Sequence, residues 1–421
     1  MSFLTSKFAV GKGKSKDEGL DYTPGSGTAV RVSEPSPLDW PLLYAFVALA
    51  LFGLIMIGSS SMPYATRHYG EPLYFVVRQS IFLGVSVVFA FAAFSIPTRQ
   101  LERWGPLLLI CSLILLSLVL VPGIGKLVNG SRRWLAFGPI NVQVSEMVKL
   151  FIVIYLAGYL VRRGELVKST WKGFFNPLVL VLVADLLLLA EPDFGATVVI
   201  TVTAVVMLFI AGVRLQQFAV LIGLLGVLGS LVIVTSPYRL QRLASFLKPF
   251  DDPFGAGFQL TQSLIAIGSG SWSGVGIGSS VQKLFYLPEA HTDFVFAIMA
   301  EELGFIGVTA VLGLFAFIVW RCFLISKTAY SQGNYFSAYT ALGIAVWIGL
   351  QSYINIGVNM GVLPTKGITL PLLSYGGSSA VIIVVSFAII LRIDFENRKM
   401  AREQLRPSRK QQVMRAGRVY V

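Results

Sequence analysis

Glu289, His291 and Asp293 stand directly against an apolar run in the stretch YLPEAHTDFVFAIMAEELGFIG, and that run itself carries Glu301 and Glu302. A carboxylate at such a place has two readings. Asp293, or Thr292 beside it, can cap the helix that follows, where a side-chain oxygen accepts from unpaired N–H groups and complements the helix dipole. Alternatively, Asp293 can serve as a general base at a water-reaching membrane cavity, since ionisable groups inside membrane segments are expensive and usually functional. Glu301 lies about 12 Å deeper at helical rise, and Glu302 projects from another side of the helix. Both need partners, and a structural ion pair or hydrogen bond is expected for at least one of them.

Further polar sets accompany this one. In QVSEMVKLF, Glu146 and Lys149 share a helix face, Ser145 is placed to cap, and Arg132 and Arg133 lie just upstream. A stabilising pair at a helix start and a ligand site are both open there. In LLAEPDFGATV, Glu191 and Asp193 bracket Pro192 in a turn, where they are expected to face water. Gln351, Asn355 and Asn359 are spaced four apart and form one polar stripe, suited to interhelical hydrogen bonds or to lining a cavity. Lys366 and the Ser374–Ser378 stretch SYGGS follow. His68 and His291 are the only histidines and neither has a second ligand nearby in sequence, so no zinc site is expected. Nothing singles out a nucleophilic serine for a triad. The glycine-rich part from Gly268 to Gly278 lacks a Gly-Lys-Ser/Thr ending and follows no predicted strand; a flexible, tightly turning surface loop is expected rather than a nucleotide site.

The elements that must position these groups are membrane helices. The chain of 421 residues is 55% hydrophobic and only 13% charged, and its mean hydropathy is +0.73. Long uncharged apolar runs mean membrane spans. About ten runs are long enough, near 41–60, 74–95, 105–122, 146–162, 175–190, 196–211, 217–235, 293–320, 337–360 and 373–391, with 175–211 also compatible with a re-entrant hairpin. Backbone groups must be satisfied inside lipid, so an all-α polytopic bundle is expected, with a long extracytoplasmic loop at 236–292 between helices 7 and 8. Residues 1–39 read as a disordered cytoplasmic tail, 40–395 as the transmembrane domain, and 396–421 as a basic cytoplasmic tail facing membrane lipids. The net charge of +13 is therefore no sign of nucleic-acid binding. Cys111 and Cys322 give no disulfide or metal framework. An even number of spans puts both tails on one side, the cytoplasmic one by its Lys and Arg. Lys126, Arg132, Arg133, Arg239, Arg242, Lys248 and Lys283 fall on the opposite side, where the topology rule does not want them; they suit an anionic ligand, with a merely solvated loop as the alternative.

Three ordered motifs carry a family resemblance. NIGVNMGVLPTKGITLPLLSYGGSS, residues 355–379, resembles the signature of the SEDS family (shape, elongation, division and sporulation), and NGSRRWLAFGPINVQVSEMVK and EAHTDFVFAIMAEELGF resemble its other blocks in the right order. The likeness spans residues 40–395 and is closer to the division members than to the elongation members. Val144 departs from it, standing where relatives often have proline. The resemblance implies a ten-helix inner-membrane enzyme, a peptidoglycan glycosyltransferase that polymerises lipid II at the division septum. It places the catalytic aspartate on Asp293 and substrate positions on Arg132, Arg133, Glu146, Lys149, Lys366 and Ser374. It also implies a class B penicillin-binding protein and other division proteins as partners.

On that reading Asp293 accepts the proton of the acceptor GlcNAc 4-hydroxyl as it attacks C1 of the donor MurNAc, with inversion. Basic residues neutralise the departing undecaprenyl diphosphate, and a divalent cation (Mg or Mn) could share that task or be held by Asp293. A lipid II flippase and a non-enzymatic division scaffold are the rival readings.

Overall fold

The computed structural model describes residues 36–405 except 129–130, 139, 237–239, 242–244, 252–254, 256 and 366. The expected tails over 1–35 and 406–421, and Arg239, Arg242 and Lys366, lie outside the described residues.

The chain runs α1 (Trp40–Tyr69), α2 (Tyr74–Ser95), α3 (Thr98–Leu120), β1 (Gly125–Val128), β2 (Ser131–Phe137), β3 (Ile140–Gln143), α4 (Val144–Ser169), α5 (Trp171–Ala190), α6 (Phe194–Ile210), α7 (Leu215–Val234), α8 (Phe258–Ser269), α9 (Val295–Ser331), α10 (Tyr335–Asn359) and α11 (Gly377–Leu405). Among the described residues nine helices are long and apolar enough to cross a membrane, and α6 is a shorter apolar helix. Each expected run falls on one of these ten. Helices exceed the runs at their ends because a helix need not stop where lipid stops; α11 continues past residue 395 to Leu405.

Helices α4 and α10 form the centre. Both are buried over most of their apolar length, whereas α2 and α7 are exposed over most of theirs. Trp347 on α10 and Ile152, Ile154 and Leu156 on α4 are fully buried. In lipid an apolar outer face carries no penalty, so exposed Val, Leu and Phe on α2 and α7 are the expected lipid-facing residues of a membrane bundle.

One element breaks the all-helical expectation. The loop between α3 and α4 folds as a three-stranded antiparallel meander in the order β1-β2-β3, with Trp134 opposite both Lys126 and Gln143. The Asn129-Gly130 and Gly138-Pro139 pairs separating alternating residues are turn signals of a hairpin. Hydropathy windows pass over such short strands.

The glycine-rich stretch is a packed clasp. Helix α9 breaks at Gly304, whose φ is +63°. Val275 N–H donates to Glu301 O (3.0 Å) and Gly276 N–H to Glu302 O (3.0 Å), while Phe305 N–H and Ile306 N–H donate to Ser271 O and Trp272 O (3.0 and 3.2 Å). The loop thus supplies the hydrogen bonds that the broken helix loses. A Cβ at Gly274, which sits at φ +78°, would lie 2.1 Å from Glu302 O. Gly274→Ala is therefore expected to lower stability by at least about 1–3 kcal/mol through backbone overpacking, read as the thermal midpoint of the purified protein in detergent; an unchanged midpoint would mean the clasp is loose.

The two glutamates inside the apolar run complete this clasp. Glu301 accepts from Val281 N–H (2.9 Å), Gln282 N–H (3.4 Å) and the Ser280 hydroxyl. Glu302, fully buried, accepts from Lys283 Nζ (2.8 Å) and from Ser59 Oγ on α1 (2.6 Å). Lys283 is consequently a buried structural cation rather than a free extracytoplasmic charge. Both glutamates hold the segment that leads into Asp293.

Candidate active site

A cavity of about 440 Å³ is walled by Arg78 from α2, Arg133 from β2, Glu146 and Lys149 from α4, Asp193 at the start of α6, and Asp293 from the loop before α9. Gly367–Thr369 and Tyr375–Ser379 close it. The start of α11 ties the sheet to this wall: Gln143 N–H donates to Ser378 Oγ (3.0 Å), which donates to Asn141 O (3.2 Å).

Asp293 is half-buried on this wall. Helix α9 begins at Val295 with Phe294 as its N-cap and no side-chain cap bond, so neither Asp293 nor Thr292 caps it; the Thr292 hydroxyl donates to Glu289 Oε2 instead (2.7 Å). The polar stripe of α10 fixes the Asp293 backbone. Asn355 Nδ2 donates to Asp293 O (2.9 Å) and Ile368 O (2.6 Å), and Asn359 Nδ2 donates to Asp293 O (3.1 Å). The facing strand of chain comes close: a Cβ at Gly367 would stand 3.1 Å from Asp293 Oδ2. Behind it His291 packs between Phe75 (4.6 Å between rings) and Tyr64 (5.2 Å). Burial lowers its pKa, with Glu289 opposing.

Glu146 and Lys149 form a buried pair at 2.7 Å. Lys149 Nζ also donates to Gln351 Oε1 (2.7 Å) and sits 5.2 Å from the Trp347 ring. Glu146 Oε2 has no hydrogen-bond partner among the described residues. This helix starts after Gln143 without a side-chain cap, so Ser145 is not its cap.

The two arginines diverge. Arg133 lines the cavity, its Nε donating to Glu191 O (3.1 Å) and its Nη2 to Pro192 O (2.6 Å). Arg132 pairs with Leu127 on β1, whereas Arg133 is the extra residue that the β1–β2 register skips between Lys126 and Leu127, and Arg132 is not among the lining residues. Ser374 is buried as well but closes a turn, its Oγ accepting from Leu370 N–H (2.8 Å), and it does not line the cavity. Lys366 falls outside the described residues.

Glu191 and Asp193, expected to face water, are buried at 1% and 4% exposure. Asp193 is the N-cap of α6, with Oδ1 accepting from Ala196 N–H (3.2 Å), while Oδ2 lacks a partner among the described residues on the cavity wall. Asp193 is thus a cavity carboxylate rather than the water-facing turn residue expected from the sequence; an aspartate just before an apolar run is the N-cap signal that marks it. Glu191, in the turn outside the spans, has its carboxyl pushed up to about 8 by burial and then by Asp193, with Arg133 opposing. An unfolded chain releases that proton near 4.5. The fold binds more protons across this window, so the contribution is fully present below about 4.5 and is lost as pH rises to about 8. Glu191→Gln is expected to remove that slope, read as thermal midpoints from about pH 5 to about pH 9; an identical slope in the variant would assign it to another group.

Fold and site together define a multi-pass membrane protein with a cation- and carboxylate-lined cavity built from helix ends. Comparisons with known proteins narrow this class. Residues 40–399 match the family model FTSW_RODA_SPOVE, described as "Cell cycle protein". The chain is 52% identical over 380 residues to "Probable peptidoglycan glycosyltransferase FtsW" of Nitrosococcus halophilus, covering 90% of this chain and 98% of that one. It is 50% identical over 368 residues to the protein so named in Legionella pneumophila, covering 87% and 93%. Among solved structures it is similar to a chain of a peptidoglycan synthase complex that coordinates polymerization and crosslinking, with TM-score 0.71 and 30% identity, covering 86% of this chain and 98% of that one. It is also similar to the rod shape determining protein RodA of Thermus thermophilus, with TM-score 0.62 and 29% identity, covering 86% and 97%. The chain belongs to the FtsW, RodA and SpoVE family, the SEDS family.

Proposed function

We propose that the cavity polymerises lipid II, with Asp293 as the general base. The chain is a peptidoglycan glycosyltransferase, as its relatives at about half identity are named. The acceptor sugar hydroxyl is a poor nucleophile. A carboxylate that takes its proton while the hydroxyl oxygen bonds to the donor's C1 makes the attack feasible. The C1–O bond to the diphosphate breaks as the new bond forms, with inversion, and the anionic leaving group departs without a second acid. Arg78, Arg133 and Lys149 on the opposing walls supply the positive charge for that diphosphate. The observation that carries this reading is their convergence with a half-buried Asp293 in one cavity, from four separate elements.

Among the described residues no three His, Cys, Asp or Glu side chains are grouped to hold a metal ion, and no step here runs through one. A divalent cation, proposed from the sequence, would be bound by Asp293 together with substrate oxygens.

Residence in the bacterial inner membrane at the septum, with both termini cytoplasmic, belongs to the same proposal. So does pairing with a class B penicillin-binding protein. The solved complex that couples polymerization to crosslinking supports the pairing.

Full-length protein in detergent with labelled lipid II tests the reading. Glycan ladders are expected. Translocation in vesicles without polymer would replace it with a flippase, and partner binding with neither activity would leave a scaffold.

A further inference from the structure

A second cavity, of about 520 Å³, lies at the other end of α4. Arg163 on its wall is about 25 Å along the helix from Glu146 at helical rise, so it sits across the membrane from the active site. Tyr159, Arg163, Thr170, Trp171, Lys172 and Asn176 line it. Tyr159 hydroxyl donates to Gly173 O (3.0 Å), tying α4 to the first turn of α5, and α4 leaves helical geometry at Arg163 itself.

The charge in this cavity is of one sign. No carboxylate lines it, and among the described residues neither Arg163 nor Lys172 has an ion-pair partner. The nearest carboxylate in sequence, Glu165, is engaged by Lys168 at 3.3 Å. Trp171, 48% exposed, marks the level of a membrane–water interface, where amphipathic rings settle.

The α5 face below the cavity is what a lipid tail would need. Lys172, Asn176, Val179, Val183 and Leu186 follow at helical spacing on one stripe. Val179, Val183 and Leu186 are all exposed large apolar residues. A cationic head-group pocket therefore continues directly into a lipid-facing apolar track on the same helix.

We propose that this cavity binds the phosphate head group of an anionic phospholipid, with Arg163 and Lys172 as its cations and the acyl chains along α5. Basic pockets at helix ends on the charge-rich side of a membrane are suited to such head groups.

The full chain in nanodiscs of phosphatidylglycerol or phosphatidylcholine, followed by native mass spectrometry of the lipid it retains, tests this. Wild-type protein is expected to retain phosphatidylglycerol and not phosphatidylcholine, a result that needs no variant to fold. Arg163→Gln/Lys172→Gln is expected to weaken retention about twenty-fivefold, each cation near an anionic surface contributing about fivefold. The control Arg162→Gln/Lys168→Gln removes as much charge outside the cavity and is expected to retain the lipid. Equal retention by the cavity variant, or equal loss by both variants, would overturn the site. Displacement of the lipid by millimolar inorganic phosphate would replace it with a simple anion pocket.

Discussion

Asp293→Asn is expected to reduce glycan polymerisation by about 10²–10⁴-fold, the range a positioned general base supplies. The substitution keeps side-chain shape and removes the basic oxygen pair, so what it tests is proton acceptance. Asn355 and Asn359 grip the Asp293 carbonyl, a hold that the amide leaves in place, and the amide keeps the size of the carboxyl for whatever else the side chain touches. The variant is therefore expected to stay folded and to bind labelled lipid II, with ladders absent. Full polymerisation by the amide would remove Asp293 from the chemistry. Loss of stability in step with activity would instead make it a structural residue. Asp293→Glu adds one methylene where Gly367 already stands close, and is expected to be inactive for steric reasons while remaining a base.

Much of the bundle was legible because lipid simplifies the reading: every apolar run must be a helix, so hydropathy alone locates ten elements. The lining of the candidate site was legible in part. Asp293, Glu146, Lys149 and Arg133 are residue types whose charge is hard to explain in an apolar setting, and all four line one cavity. Arg132 and Arg133 could not be told apart because the loop carrying them was not read as strands, and the register shift between Lys126 and Leu127 is what separates them. Glu191 and Asp193 were misjudged for a related reason. A Pro-containing turn between apolar runs is ordinarily exposed, but here β2 covers it through Arg133, a contact between residues almost sixty apart. The glycine-rich loop shows the same limit. Its composition announces turns, but the broken helix that it completes lies some thirty residues on, and the need for Gly274 comes from its positive φ and from the Glu302–Leu303 backbone against it.

Lys149→Met is expected to abolish polymerisation, and the reason it does so can be separated into two parts. The pair with Glu146 is almost wholly removed from solvent, at 4% and 7% side-chain exposure. Deleting the cation leaves a buried carboxylate uncompensated, at a cost of about 3–5 kcal/mol. The single variant should thus fall in both thermal midpoint and activity. Glu146→Gln/Lys149→Met removes both charges, and replacing a whole buried pair by neutral groups is often close to neutral in stability. Gln351 would lose its lysine donor but keep Trp347 Nε1–H on the same oxygen (2.9 Å) and its own bond to Thr369 O (3.0 Å). The double variant should therefore recover most of the midpoint. If Lys149 also draws the diphosphate, polymerisation stays lost, because nothing in the repaired core restores a cation at that point of the cavity. Recovery of ladders together with stability would show that the pair serves only to hold α4 against α10, and the positive charge for the leaving group would then fall to Arg78 and Arg133.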